Sequence, residues 1–205
     1  MYDAKRSLRL LPDAHTQIDA WTERLGAEHP EAMAHSCRVA TLAFDIATRL
    51  GLDVGFCRDA FHAGLLHEIG RLRLSSGELQ GEEAQATIAM VGASLVGRCA
   101  SLTRVAHAIL LQGERLDGSG FPLGKSHESV PLLARIVGVA DTYDMLTQRR
   151  SAVTSLGAAS AVETVQRGAG SLYDPQIVDA LTEVYASSSL CFESGLHGHG
   201  LLACA

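Results

Sequence analysis

Hydrophobic residues along the 205-residue chain recur mostly at spacings of three and four, which is the period of an amphipathic helix. The clearest case is "EHPEAMAHSCRVATLAFDIATRLGL", whose apolar residues form one stripe that ends at Gly51. The members of this stripe are Ala34, Val39, Leu42, Ala43, Ile46 and Leu50. The pattern predicts a long helix with one buried face.

Further stretches continue the helical pattern. "GFCRDAFHAGLLHEIGRLRL" predicts a helix with Gly70 near its end, and two more helices are expected at about 83–97 and 102–111. A loop rich in glycine and proline follows at 113–131. "LLARIVGVADTYDMLTQRR" predicts a buried helix, and "SLGAASAVETVQRGAG" and "DPQIVDALTEVYA" predict two closing helices. The chain is therefore expected to be all-α, a multi-helix bundle of about seven to nine helices.

The amino-acid composition restricts the classes of partner that the chain is expected to bind. Hydrophobic residues make up 47% of the chain and the net charge is −6, without clustered lysine and arginine, so nucleic acid is not an expected partner. No apolar run approaches the roughly 20 residues that a membrane-spanning helix needs, so no membrane insertion is expected. The 5 cysteines are odd in number and form no CxxC pair, which favours reduced thiols and a cytoplasmic location.

Histidine and carboxylate side chains in three predicted helices are candidates for metal chemistry. Glu31 and His35 lie four residues apart and therefore share a helix face. His67 and Glu68 are adjacent near the end of the next helix; taken alone, such a pair is more often surface polarity than a metal site. Asp141 lies in an apolar run, where an unpartnered carboxylate would cost several kcal/mol. A partner for Asp141 is therefore required.

Several separated motifs resemble the HD-GYP branch of the HD phosphohydrolase superfamily. "HSCRVATLAFDIATRLGL" resembles the family's opening HxxRV helix, "AGLLHEIGR" its HD motif, and "ERLDGSGFPLG" its signature loop. "VPLLARIVGVADTYDMLTQRR" and "YDPQIVDAL" resemble its late metal helix and its closing helix. The resemblance implies a helical HD-domain fold with two or three metal ions, commonly iron or manganese, and hydrolysis of cyclic di-GMP.

The resemblance also assigns roles to single residues. It makes His35, His67 and Asp141 metal ligands, with Glu68 in place of the usual aspartate and Glu31 as an extra carboxylate. Catalytic roles fall to Glu68 and to Arg71, which stands where the family has a phosphate-binding lysine. The candidates for substrate binding are Arg38, Asp117, Gly118, Gly120, Lys125 and Arg135. Two alternatives stay open: Arg38 and Arg135 could instead form ion pairs with Asp141 and Asp144, and "DGSGFP" could be only a stiff turn.

Three positions depart from the family pattern where further metal ligands are expected. The paired histidines before the signature loop align with Gln112 and Gly113, and the family's middle histidine falls near Ile88. Phe121 replaces the tyrosine of the signature. A site without these ligands is expected to hold one divalent transition metal, iron or manganese, rather than two. The expected function is therefore a metal-dependent phosphohydrolase with weak or altered activity on cyclic di-GMP, or an inactive signalling module that binds a nucleotide or a partner domain.

Domain limits and partners follow from the same patterns. We expect a helical extension at 1–27, an HD-GYP-like domain at 28–186 and a loosely ordered tail at 187–205. "MYDAKRSLRL" is similar to the last helix of a GGDEF domain, which makes a GGDEF-type domain one expected partner. The others are a nucleotide or phosphate-containing small molecule and a second copy of the chain in a homodimer.

Overall fold

A computed structural model describes residues 14–75, 77–79, 83–148 and 156–193. The opening run 1–13, with its similarity to a GGDEF helix, lies outside these residues. The described part contains eight α-helices: α1 (Ala14–Glu28), α2 (Pro30–Arg49), α3 (Val54–Leu66), α4 (Glu83–Val96), α5 (Thr103–Leu111), α6 (Leu132–Thr147), α7 (Ala158–Arg167) and α8 (Pro175–Glu193). Short 3₁₀ helices span Ile69–Arg73, Ala100–Leu102 and His127–Ser129. The predicted all-α architecture is confirmed.

The ends of α2 and α3 follow from local chemistry. Pro30 opens α2, where its missing N–H costs nothing, and Gly51 follows the helix with a φ of 70°. Asp53 caps α3 by accepting hydrogen bonds from the backbone N–H groups of Gly55 and Phe56 at 2.9 and 3.0 Å. The predicted helix through "GLLHEIGRLRL" is wrong in one respect, because α3 stops at Leu66 and the chain continues as a 3₁₀ helix.

The break after α3 has a packing cause. Gly70 lies so close to α4 that a Cβ atom there would overlap the carbonyl oxygen of Ile88. The chain can approach α4 this closely only by leaving the α3 axis. The break places His67 and Glu68 between two helical segments rather than inside a continuous helix.

Helices α2, α3 and α6 pack against one another around the core. Val39, Ala43 and Ile46 of the predicted stripe are fully buried, whereas Ala34 is exposed. In α6, Ile136, Val137 and Ala140 are likewise buried completely. A functional group on the inner face of any of these three helices therefore points toward the other two.

Two helices lie at the described ends of the chain, and the expected domain limits stay a prediction. α1 lies in the segment assigned to an extension, yet it packs against α2 and against the 3₁₀ helix after α3. α8 continues to Glu193, past the predicted start of the tail at Ser187. None of the described helices combines the length and apolar character needed to cross a membrane.

Candidate metal centre

Helix α2 supplies the first candidate ligand. Its heptad-like spacing puts Glu31, His35 and Arg38 on one side of the helix, with His35 at the buried end of that arc. His35 is 1% exposed, and its Nδ1 lies 2.6 Å from Oδ2 of Asp144. Because a carboxylate only accepts hydrogen bonds, Nδ1 carries the proton and the Nε2 lone pair is left for another partner.

The second candidate ligand lies at the end of α3. His67 is buried, and its Nδ1 donates to the carbonyl oxygen of Gly64 at 2.6 Å. A Cβ atom at Gly64 would lie 2.7 Å from Cα of Ala40, so glycine at this position allows α2 and α3 to approach closely. This approach brings Nε2 of His67 to 3.1 Å from Nε2 of His35.

The third candidate ligand comes from α6. Oδ1 of Asp141 lies 2.9 Å from Nε2 of His35 and 3.7 Å from Nε2 of His67. Ligand atoms of His35, His67 and Asp141 all lie within 4.8 Å of one another. The carboxylate in this apolar helix therefore faces two imidazole nitrogens.

The donor set fits a transition metal ion. When both rings are neutral with the proton on Nδ1, two Nε2 lone pairs face each other at 3.1 Å, an arrangement that is repulsive unless a cation lies between them. Donor atoms about 2.1 Å from one metal ion are separated by roughly 3.0–3.4 Å, close to two of the three distances observed. Two neutral imidazoles and a carboxylate suit iron, manganese or zinc.

Charge at the centre is set by burial and by neighbours. Burial lowers the pKa of His67 and outweighs the opposite effect of Asp141 and Glu68, so the neutral ring that a metal requires is favoured. Asp144 behaves differently: burial opposes its ionisation, but hydrogen bonds from His35 and Arg38 hold its pKa below the usual range. Asp144 is therefore a carboxylate and His67 a neutral base near neutral pH.

Asp144 contacts the candidate centre, and sequence reasoning did not place it in the site. It is buried, and it accepts from Arg38 Nε at 2.6 Å and Nη2 at 2.9 Å in addition to His35 Nδ1. A carboxylate behind a metal-binding histidine fixes the tautomer and the orientation of the ring. Its spacing of three residues from Asp141 on one helix was the available signal. The ion-pair alternative for Arg38 is confirmed with Asp144.

Glu68 and Arg71 form a pair of their own beside the centre. Arg71 donates from Nε to Oε2 at 2.8 Å and from Nη2 to Oε1 at 2.9 Å, and Glu68 is almost completely buried. Glu68 is not in the group that His35, His67 and Asp141 form. Glu31 is exposed in the first turn of α2 and is also outside that group. Metal binding by these two carboxylates stays a prediction.

Other structure occupies the three positions where the family places further histidines. Ile88 is buried in the core with its carbonyl against Gly70. A Cβ atom at Gly113 would lie within 3 Å of three ring carbons of Phe121, so this aromatic ring takes the place of a side chain at 113. At Gln112 the buried Oε1 atom has no hydrogen-bond partner.

The signature loop is fixed by hydrogen bonds within itself. Both carboxylate oxygens of the buried Glu114 accept from backbone N–H groups, those of Leu123 at 2.7 Å and Lys125 at 2.8 Å. Oδ1 of Asp117 accepts from the Ser119 backbone at 2.9 Å and from its hydroxyl at 2.6 Å. The loop is therefore a turn held by its own hydrogen bonds, in which Glu114 is a structural anchor that the motif alone did not indicate, and a further role in substrate or partner contact stays a prediction.

The remaining residues predicted to bind substrate are distributed around this loop. Gly118 has a φ of 81°, and Gly120 packs on the backbone of Gly113 and Glu114 too closely for any side chain. Arg135 donates to Asp174 at 2.5 Å, so its pairing with Asp141 or Asp144 is wrong. Substrate contacts by Gly118, Gly120, Lys125 and Arg135 stay predictions.

Comparison with known proteins identifies the class. The HD domain family matches residues 21–177, and the chain belongs to this family. The match begins inside the segment 1–27 that was assigned to an extension. The predicted relationship to the HD superfamily is therefore confirmed. The predicted effect of the missing histidines on activity is untested.

Named relatives are phosphodiesterases of cyclic dinucleotides. A cyclic di-GMP phosphodiesterase of Pseudomonas aeruginosa is 31% identical over 199 residues, which cover 87% of this chain and 48% of that protein. The chain thus spans about half the length of the curated relatives it matches.

Two solved structures show the same fold. A cyclic GMP-AMP specific phosphodiesterase of V. cholerae has a TM-score of 0.65 at 21% identity, over 89% of this chain and 50% of that one. The HD domain of the L. monocytogenes phosphodiesterase PgpH in complex with cyclic-di-AMP has a TM-score of 0.56 at 15% identity, over 82% and 97%.

Proposed function

We propose that the chain is a metal-dependent phosphohydrolase of the cyclic-dinucleotide phosphodiesterase lineage, with a centre for one divalent ion, iron or manganese, formed by His35, His67 and Asp141. The observation that supports this proposal is the convergence of two Nε2 lone pairs and a carboxylate oxygen on one point. Both rings are held by hydrogen bonds at Nδ1, so the donor atoms are oriented before the ion arrives. A bound ion would lower the pKa of a water molecule and polarise a phosphoryl oxygen.

The substrate would approach from the side of Asp141. The two imidazoles are buried, whereas the side chain of Asp141 is 21% exposed, so the open side of the centre lies next to this carboxylate. Arg71 uses two of its five N–H groups on Glu68 and is itself partly exposed, which leaves donors for a phosphate group. These features favour a phosphate ester as the substrate class.

The relatives support a nucleotide as ligand. Their named activities are on cyclic di-GMP and cyclic GMP-AMP, and one fold neighbour holds cyclic-di-AMP. With a single ion the developing charge on the phosphoryl oxygens is neutralised less completely, and loss of one well-placed stabilising group costs about 10²–10³ in rate. We therefore expect slow cleavage of cyclic di-GMP and faster cleavage of a smaller phosphomonoester. A GGDEF-type partner, a homodimer and a cytoplasmic location stay predictions.

A second candidate is an inactive module that binds a nucleotide without cleaving it. The observation that favours it is the ring of Phe121, which fills the space beside Gly113 where the family has a ligand. In this case a cyclic dinucleotide would bind and remain intact. The two candidates predict the same fold and differ in turnover.

The deciding experiment is a steady-state assay of protein reconstituted anaerobically with Mn²⁺ or Fe²⁺. The substrates are cyclic di-GMP and a small phosphomonoester, and the matched inactive variant is His67→Ala. Metal-dependent phosphate release that disappears in His67→Ala supports the phosphohydrolase. Tight binding of cyclic di-GMP with no product from either substrate supports the inactive module instead.

A further inference from the structure

Glu68 lies beside the proposed metal centre but is bound to a cation that the chain itself provides. It follows His67 directly in the chain, so it lies next to a residue of the proposed metal centre. Its two oxygens nevertheless receive Nε and Nη2 of Arg71 at 2.8 and 2.9 Å. Such a two-point pair holds both partners in a fixed plane.

Because Glu68 is buried, its carboxylate depends on the pairing with Arg71. Glu68 is 2% exposed, and a buried carboxylate without a counter-cation is strongly disfavoured. Two cations are relevant to this carboxylate: a metal ion held by His35, His67 and Asp141, and the guanidinium of Arg71, which is bound to Glu68 in the structure. In the structure the guanidinium of Arg71 binds the carboxylate of Glu68. Glu68 does not belong to the group of converging ligand atoms.

We propose that Arg71 withholds Glu68 from the metal centre and thereby limits the affinity of the centre for a metal ion. This inference rests on the proposed metal centre. Arg71 is in this account a positioning residue, whose effect on the ion passes through the carboxylate that it binds. Removing the guanidinium would leave a buried carboxylate next to the centre, and a metal ion would become its counter-cation.

The direction of the effect separates this role from a structural one. If Arg71 only supported the fold, its loss would weaken metal binding together with stability. If it withholds a ligand, its loss strengthens metal binding. Arg71→Met keeps the length and the apolar stem of the side chain while removing the charge.

The chain offers a matched control in the same 3₁₀ helix. Arg73 lies two residues further on and is exposed, so Arg73→Met removes the same charge without freeing a buried carboxylate. A third variant, Arg71→Met with Glu68→Gln, removes the guanidinium and the freed ligand together. Any gain that comes through Glu68 must vanish in this double variant.

The experiment is isothermal titration of the metal-free protein with Mn²⁺, with metal content counted by elemental analysis. We expect Arg71→Met to lower the Kd about tenfold or more, since a well-placed partner group changes metal affinity by about 10–100-fold. Arg73→Met should stay within about threefold of the unaltered chain, as should the double variant. Equal or weaker binding by a folded Arg71→Met protein would overturn the inference.

A separate arm does not depend on the folding of Arg71→Met. Glu68→Gln in the unaltered background should change the Kd by less than about fivefold, because Glu68 does not bind the ion there. A loss beyond about 100-fold, equal to that of a ligand variant, would overturn the inference.

The outcomes also separate this inference from the proposed function. If the unaltered chain binds one Mn²⁺ and Arg71→Met binds no better, only the role of Arg71 fails. If the unaltered chain binds none and Arg71→Met binds one, the proposed function fails and the role of Arg71 is supported. If neither protein binds Mn²⁺, both fail.

Discussion

The two sides of the candidate site are built differently. On the helix side, α2, α3 and α6 present His35, His67 and Asp141, and each imidazole is oriented by its own acceptor. On the loop side, Gly113 contacts the Phe121 ring, and the buried carboxylate of Glu114 accepts hydrogen bonds from two backbone N–H groups. The helix side carries the candidate metal ligands, whereas the loop side is filled by packed side chains and backbone. The comparison explains why a one-metal centre is proposed although the family pattern implies two or three ions.

The largest effect is expected from removing a ligand on the helix side. Asp141→Ala deletes one of three converging donors, and we expect Mn²⁺ affinity to fall more than about 100-fold, beyond the loss typical of residues behind the ligands. Titration calorimetry gives the value. Asp179→Ala, which changes an exposed carboxylate on α8, is the control and should bind as the unaltered chain does. Equal affinity in Asp141→Ala would remove α6 from the centre.

A somewhat smaller loss of metal affinity is expected from removing Asp144, which lies behind the candidate ligand His35. Asp144→Ala leaves His35 Nδ1 and Arg38 without their acceptor, so Mn²⁺ affinity should fall about 10–100-fold. The free energy of unfolding should fall by about 2–3 kcal/mol, less than for a fully buried pair, because Arg38 is 41% exposed. Urea unfolding measures the second quantity. A variant with full affinity for metal would show that Asp144 only stabilises the fold.

The third effect concerns pH and the metal-free protein. Burial lowers the pKa of His67, so below its unfolded value of about 6.5 the unfolded chain binds a proton that the folded chain does not. The free energy of unfolding should therefore decrease as pH falls below about 6.5, by at most about 1.4 kcal/mol per pH unit for one group.

Two other titrating groups define the controls for this pH effect. His62 also has a pKa lowered by burial, so His67→Asn should remove only part of the dependence. Asp144 has a lowered pKa, and its contribution is lost only at still lower pH, as the pH falls through its folded pKa. An identical slope between pH 5.5 and 6.5 in His67→Asn would contradict a neutral, buried His67.

The smallest effect is expected on the loop side. A Cβ atom in Gly113→Ala would overlap the Phe121 ring, but the ring is 37% exposed and can move, so the cost should be about 1 kcal/mol. Phe121→Ala should make Gly113→Ala nearly neutral, which a double-mutant cycle would reveal. Additive costs would mean that the ring does not fill the space at 113. Mn²⁺ affinity should stay unchanged in all three variants.

Much of the candidate centre could be predicted from the sequence. The helix period and the apolar run singled out His35 and Asp141 as candidates, the resemblance to the HD-GYP family grouped them with His67, and the helix count was confirmed. Spacing does not determine which neighbour a side chain chooses. Glu68 lies three residues before Arg71 and pairs with it, a choice that depends on the 3₁₀ turn after α3, which the sequence pattern did not predict.

Packing accounts for the other failures. The turn after α3 follows from the contact of Gly70 with the Ile88 carbonyl, which joins residues far apart in sequence. The contact between Gly113 and Phe121 is likewise made by packing. The glycine at 113 can be interpreted only once the position of the Phe121 ring is known. Asp144 was accessible to reasoning from the helix period, but its role required the position of Arg38 on α2.

The count of tightly bound metal ions tests the central claim most directly. The protein would be loaded with Mn²⁺ or Fe²⁺ under anaerobic conditions, dialysed extensively and analysed for metal and protein together, with His67→Ala treated in parallel. One ion per unaltered chain and none in His67→Ala is the predicted result. Two ions per chain would contradict the contrast between the helix side and the loop side, and no ion would contradict the metal centre itself.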